Sequence, residues 1–232
     1  MSHEVNIHAA QTTILRELLF LPSAGFAALQ KPTGLSSDHF TFHISRLLEL
    51  GLISRVGRGK YALSPAGKEY ANRLDTDNNT VERQPKVAVL LAVSDGEQIL
   101  FQERLKQPYF GYWGLPTGKL RWGETILEGA ARELMEETGL EAELELRGVY
   151  HEHAVEQDSN AMLEDKMFFV IKGTNPTGSL VERFEGGRNQ WMSVDEARLK
   201  GKLFASFDAE LDIAAGNAVF VESTHKVAAL DF

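Results

Sequence analysis

The stretch Gly118-Lys-Leu-Arg-Trp-Gly-Glu124-Thr-Ile-Leu-Glu-Gly-Ala-Ala-Arg132-Glu133-Leu-Met-Glu136-Glu137-Thr-Gly139-Leu140 reads as a loop followed by a helix, Glu124 to Thr138, that ends at Gly139 as a natural C-cap. Glu133, Glu136 and Glu137 stand at i, i+3 and i+4, so their carboxylates leave one helical face within one turn. Like charges so placed repel by about a few tenths of a kcal/mol per pair, which a solvated face absorbs. The other reading offsets the repulsion with a bound cation. Carboxylate oxygens suit Mg²⁺ or Mn²⁺, hard ions that also bind substrate phosphates. Spacing alone leaves both readings open. Gly129, Ala130 and Ala131 give the helix a small face for close packing on a sheet, and Gly118 marks a close backbone approach.

The sequence around this helix predicts the sheet. Val87–Val93 is a continuous apolar run of strand length, and Asp95-Gly96 turns it into a second strand, Gln98–Gln102. Pro108–Lys119 is too rich in Gly, Pro and aromatics for regular structure. A strand is expected over Leu144–Tyr150, and Glu152, Glu156, Glu164 and Asp165, candidate carboxylates for the site, follow it and border a long polar loop. His151 and His153 stand at the entry to that loop, either to touch a base or ribose or as ordinary strand-end residues. Ser206 opens a final helix, and Phe220–Phe232 is an added strand or a dimer contact.

Upstream, charge and periodicity change. Residues 1–80 hold 8 Lys+Arg against 7 Asp+Glu, whereas residues 81–232 hold 16 against 26. Asp75–Pro85 has no hydrophobic period, so the expected organisation is a domain over 1–75, a linker over 76–85 and a second domain over 86–232. The first domain predicts a helix to Leu21, a short helix Ala24–Gln30, and a longer helix with Phe40, Ile44, Leu47 and Leu48 on one face. A hairpin with a Gly-rich basic tip follows, and Ser64-Pro65 opens a last helix. His43–Arg55 followed by Gly57–Gly67 resembles the winged helix-turn-helix of bacterial transcriptional regulators, over about residues 8–74. The resemblance implies that His39, Thr41, Ser45 and Arg46 face a DNA groove, with Phe42 beside them, and that Arg55, Arg58 and Lys60 meet phosphate. Such modules also serve as dimerisation units, and the low charge of this half keeps that alternative open.

Composition excludes several classes. With 232 residues, a net charge of −9 and 43% hydrophobic residues, the chain has the make-up of a globular protein of one small and one medium domain. It contains no cysteine, which removes disulfides, thiolate metal sites and a thiol nucleophile. No apolar run reaches the roughly 18 residues of a membrane span, and no secretory pattern opens the sequence, so the expected location is the cytoplasm, with no membrane partner.

The order Gly118, five residues, Glu124, seven residues, then Arg132-Glu133-Leu-Met-Glu136-Glu137-Thr-Gly139-Leu140 resembles every fixed position of the Nudix box. The likeness extends to Trp113-Gly-Leu-Pro116 before it and Gln190-Trp191 after it, over about residues 86–205. It implies an α+β architecture, with an N-terminal winged helix domain and a C-terminal Nudix α/β/α sandwich around a mixed sheet. The implied activity is metal-dependent hydrolysis of a nucleoside diphosphate linked to a further group X. Glu133, Glu136 and Glu137 are implied to ligate Mg²⁺ (or Mn²⁺), with Glu185 as a further ligand; Glu133 alternatively orients or deprotonates the water. Arg132 would hold Glu133 in position, Lys119 neutralise a departing phosphate, and Gly118, Tyr112 and Trp113 form the substrate-binding loop. The stretch after the box, Tyr150–Gln157, lacks the proline of ADP-ribose hydrolases, so X stays open. The runner-up is a nucleotide-sensing transcriptional regulator. A nucleotide, double-stranded DNA and a second copy in a homodimer are the expected partners.

Overall fold

The computed structural model describes residues 7–232; residues 1–6 of the expected first domain lie outside them. The chain divides into two compact units between Arg83 and Gln84.

The first unit runs α1 (Ala9–Leu19), β1 (Ala24–Gly25), α2 (Phe26–Gln30), α3 (Ser37–Glu49), β2 (Ile53–Gly57), β3 (Lys60–Leu63) and α4 (Pro65–Ala71). Strands β1, β2 and β3 form an antiparallel sheet in the order β1-β3-β2. Ile14, Leu15 and Leu18 of α1 and Phe40, Ile44 and Leu47 of α3 meet in one core. Ser64 caps α4 by accepting the Gly67 N–H at 2.9 Å, with Pro65 at the first helical position. Two expectations are corrected. Ala24 and Gly25 are not helical but pair with Tyr61 and Lys60, because Phe26 N–H is drawn to Gly59 O at 3.0 Å. The expected linker is partly folded: β4 (Leu74–Asp75) pairs with β5 (Thr80–Val81) across a turn in which the Asp75 carboxylate accepts the N–H groups of Asp77 and Asn78.

The second unit is an α+β fold on a mixed sheet. Its elements are β6 (Lys86–Asp95), β7 (Gln98–Arg104), β8 (Trp113–Gly114), β9 (Thr117–Lys119), α5 (Ile126–Thr138), β10 (Leu140–Glu156), β11 (Met162–Gly178), β12 (Gly187–Met192), α6 (Val194–Arg198), α7 (Phe207–Ala215) and β13 (Phe220–Val227). The strand order is β12-β7-β6-β11-β10-β13, with β8 beside β7 and β9 beside β6. β6 runs parallel to β11, and β13 parallel to β10. Strand β6 is covered on both sides, which is why its sequence is a continuous apolar run. Val89, Leu91 and Val93 pack with Ala130 and Leu134 of α5, whereas Ala88, Leu90 and Ala92 pack with Phe207, Ile213 and Ala214 of α7.

Here too the structure corrects the sequence reading. The loop expected over 108–119 contains the two short strands β8 and β9. β10 extends far beyond Leu144–Tyr150, and three register shifts along its pairing with β11 break the alternation that would reveal it. Glu152, Glu156, Glu164 and Asp165 consequently lie on the paired strands β10 and β11, and only residues 157–161 stand between the two in place of a long loop. The C-terminal segment takes the added-strand alternative as β13. Of the small residues on α5, Ala130 is buried but Ala131 is exposed.

Candidate active site

Helix α5 starts at a capping box in which Thr125 and Glu128 satisfy each other's backbone donors, leaving Glu124 just outside the helix. Glu124 is thereby free to face back along α5, where Arg132 meets it twice: Nε donates to Oε1 at 2.5 Å and Nη2 to Oε2 at 2.9 Å. The same guanidinium donates to Glu133 Oε1 at 2.6 Å, Glu136 Oε2 at 3.1 Å and the Lys119 carbonyl at 3.0 Å. Its fork geometry lets it hold carboxylates in fixed orientation. The hydrogen bond from Arg132, with the Arg121 N–H behind it, holds Glu124 down to about 2, and these carboxylates push the Arg132 guanidinium well above its usual range. Glu128 is not the partner of Arg132; it serves the cap.

Gly118 explains how Glu133 fits. A Cβ on Gly118 would stand 2.1 Å from both Cγ and Cδ of Glu133, so that carboxylate lies directly against the glycine backbone of β9. Gly139 closes α5 at φ +71°, in the left-handed region that favours glycine. Glu136 is exposed and also accepts from Arg121, whose Nη2 lies 3.0 Å from both of its carboxylate oxygens. Glu137 is half-buried. Its Oε2 accepts from Gln102 Nε2 at 3.0 Å, and Gln102 in turn donates to Asn189 Oδ1 at 3.1 Å. Burial pushes the Glu137 carboxyl up and Glu133 adds to it, against the opposing pull of Gln102, Lys106 and Arg104.

Gln102 also lines a cleft. It begins as a cavity of about 60 Å³ among Gln102, Tyr109, Thr117, Glu152, Lys166 and Glu210, and adjoins a wider one of about 270 Å³ that shares Tyr109, Glu152 and Phe204 and adds Tyr112. Lys166 Nζ lies over the Tyr109 ring at 5.6 Å. Glu210 is buried, and burial raises its carboxyl to about 8; burial also raises Glu152. Glu164, beside them, is held below its usual value by Lys166 and Lys86 despite its burial.

The structure thus brings Arg132, Glu133, Glu136 and Gly118 together, ties Glu137 to Gln102 of the cleft, and places Tyr112 at the wider cavity next to it. It does not bring in the rest. Trp113 is 4% exposed, with Arg188 and Lys200 over its ring, and so offers no face for a base. Lys119 contributes its carbonyl, while its side chain is exposed. Glu185 is exposed in the bend before β12, with no ion pair among the described residues. In the first unit His39, Thr41, Ser45 and Arg46 are exposed on α3, and Arg55, Arg58 and Lys60 are exposed along β2, β3 and their turn. Sequence reasoning singled out Glu152 but missed Gln102, Tyr109, Lys166 and Glu210, which converge with it from separate elements.

Glu133, Glu136 and Glu137 have the donor chemistry of a hard divalent cation, and the glycine backbone gives Glu133 room, but in this structure their oxygens do not gather within 4.8 Å of one another as a group of three. In this structure Arg132 and Arg121 supply the charge compensation for Glu133 and Glu136.

A family model described as the NUDIX domain matches residues 82–211. The Nudix hydrolase YvcI of Bacillus subtilis (strain 168) is 31% identical over 93 residues, covering 40% of this chain and 58% of its own. The ADP-ribose pyrophosphatase of Methanocaldococcus jannaschii is 35% identical over 95 residues, covering 39% and 56%. The RNA pyrophosphohydrolase of Erythrobacter litoralis is 30% identical over 141 residues, covering 61% and 73%. The chain thus spans little more than half the length of the first two. With more than half of its residues inside the match and the box geometry built around Arg132, the chain belongs to the NUDIX domain family.

Proposed function

We propose that the second unit hydrolyses the pyrophosphate bond of a nucleoside diphosphate linked to a further group, of the nucleotide-sugar or nucleoside-triphosphate class. The Arg132 network carries this reading: a surface ion pair needs one partner, whereas Arg132 engages three glutamates and a carbonyl. Glu133, Glu136 and Glu137 would hold Mg²⁺ or Mn²⁺, with Glu185 as an outer candidate. When bound, such an ion supplies neutralisation of the diphosphate charge. Arg132 keeps Glu133 oriented, and the carboxylate oxygen of Glu133 that Arg132 leaves free positions or deprotonates the attacking water. Lys166 meets phosphate charge, and Tyr109, Tyr112 and Phe204 offer ring faces to a base. Relatives named for ADP-ribose and RNA pyrophosphate chemistry support the type of bond. The test is phosphate or nucleoside-monophosphate release from ADP-ribose, NADH, dinucleoside polyphosphates and ordinary and oxidised dNTPs with Mg²⁺ or Mn²⁺, using Glu137→Gln as blank. Turnover of one class identifies the group. Binding without any turnover refutes the hydrolase reading in favour of a nucleotide sensor.

For the first unit we propose a winged helix that binds duplex DNA. The element order α1-β1-α2-α3-β2-β3 and the exposed polar face of α3 support it, with Arg55, Arg58 and Lys60 reaching the phosphates. A duplex titration at two salt concentrations tests it.

A further inference from the structure

A second cluster lies outside the α5 glutamates. His151 and His153 are two apart on β10 and therefore face the same side of the sheet. Asp165 of β11 is the register partner of His153, and Glu222 of β13 is the register partner of His151. Among the described residues, His151, His153 and Asp165 are the group whose ligand atoms all lie within 4.8 Å of one another. The Asp165 carboxylate oxygen is 2.9 Å from His151 Nε2 and 3.7 Å from His153 Nε2. The two imidazoles meet edge to face, with centroids 4.4 Å apart.

We propose that His151, His153 and Asp165 form a zinc site, with Glu222 orienting His151 from behind. A zinc ion bound tetrahedrally at about 2.0–2.1 Å to nitrogen and oxygen spaces its donors about 3.3–3.4 Å apart, and the two separations to Asp165 bracket that value. Glu222 Oε2 lies 2.7 Å from His151 Nδ1. When that nitrogen donates to Glu222, Nε2 turns a lone pair toward Asp165, an arrangement that only a proton or a metal cation between them makes attractive. A carboxylate behind a ligating histidine is the arrangement that fixes its tautomer and raises its basicity. Two imidazoles and one carboxylate, with no thiolate, suit zinc and leave a fourth position for water. All four side chains retain solvent access, between 18% and 55%, so the ion has an entry path.

Titration of the full chain with Zn²⁺ and with Co²⁺ tests the site, the cobalt read by its visible ligand-field bands, which are strong for four-coordinate nitrogen and oxygen donors and weak for an octahedral carboxylate site. One equivalent of Co²⁺ should develop the strong bands in the wild type and equally in Glu137→Gln. His153→Gln should lose them and bind Zn²⁺ at least 10-fold more weakly. Glu222→Gln should bind about 10- to 100-fold more weakly, the usual cost of removing such a partner. Asp165→Asn, which alters no histidine, stands in if His153→Gln fails to fold. Absence of the strong bands at one equivalent, or equal Zn²⁺ affinity in the wild type and both ligand variants, overturns the proposal in favour of a protonated His151 held by two carboxylates.

Discussion

Gly118→Ala is the sharpest test of the α5 site because it adds one methyl group and no charge. The new Cβ would stand 2.1 Å from Cγ and Cδ of Glu133 and 2.4 Å from its Oε2. Carbon atoms prefer separations of about 3.5–4.0 Å, so the carboxylate must retreat by about 1.5 Å. That breaks its 2.6 Å hydrogen bond from Arg132 Nη1. Catalytic groups tolerate about 0.5 Å of misplacement, and a displacement of about 1 Å can cost about 100-fold in rate, or about 2.7 kcal/mol of barrier. The fold pays less: overpacking of this kind costs about 1–3 kcal/mol, and Tm falls by about 2–4 °C per kcal/mol in a chain of this size. Gly173→Ala is the matched control, since its Cβ would press on Val93 at 2.8 Å in the core and touch no glutamate. Steady-state kinetics on the substrate found in the panel, with thermal melts of both variants, should show kcat reduced about 100-fold in Gly118→Ala and unchanged in Gly173→Ala. Wild-type kcat in Gly118→Ala would refute the placement of Glu133 at the reacting centre.

Glu137→Gln should lower kcat at least about 100-fold while leaving Tm nearly unchanged, because the amide oxygen can still accept from Gln102; surviving turnover would remove Glu137 from the site. Glu124 is held at about 2 against an ordinary 4.5, so it stabilises the fold above about pH 4.5 and loses that contribution as pH falls through 2. The Tm advantage of wild type over Glu124→Gln should accordingly be flat near neutrality and vanish below pH 2, and an advantage that persists in acid contradicts the ion pair. Glu210 is raised from 4.5 to about 8, so its contribution is complete below 4.5 and is lost as pH rises through 8. Glu210→Gln should therefore gain on wild type in melts between pH 5 and 9, and a pH-independent difference would show that Glu210 does not titrate in that range. For the first unit, Arg46→Ala and Arg58→Ala should each weaken duplex DNA binding and lower the salt slope by about one; a wild type without salt-dependent DNA affinity ends that proposal.

What could be read in advance follows from how each interaction is encoded. Arg132, Glu133 and Glu136 lie on one helix, where spacing translates directly into geometry, so their shared face is visible in the sequence. Glu124 sits eight residues before Arg132 and outside α5, and its role depends on where the helix starts. Thr125 and Glu128 carry that signal as a capping box, which the sequence reading passed over. The strands show the same contrast. β6 announces itself because both its faces are apolar, whereas β10 hides behind its register shifts, so the sequence pattern ends the strand at Tyr150, short of Glu152, which lines the cleft. Gln102 reaches Asn189 because β7 and β12 pair in the register that sets those two residues opposite each other, a contact 87 positions apart that no local pattern predicts. Glu210 is the hardest case. It lies on the buried face of α7 among Phe207, Ile213 and Ala214, and an acidic residue within an apolar period reads as a solvent-facing turn of the helix. Only the enclosing elements turn it into a carboxyl that stays protonated near neutral pH. It lines the same cleft as Gln102, whose amide reaches Glu137, so the part hidden from the sequence is the cleft that separate elements enclose. The helix spacing encodes the Arg132 network, while the long-range packing of β7, β10, β11 and α7 encodes the cleft beside it.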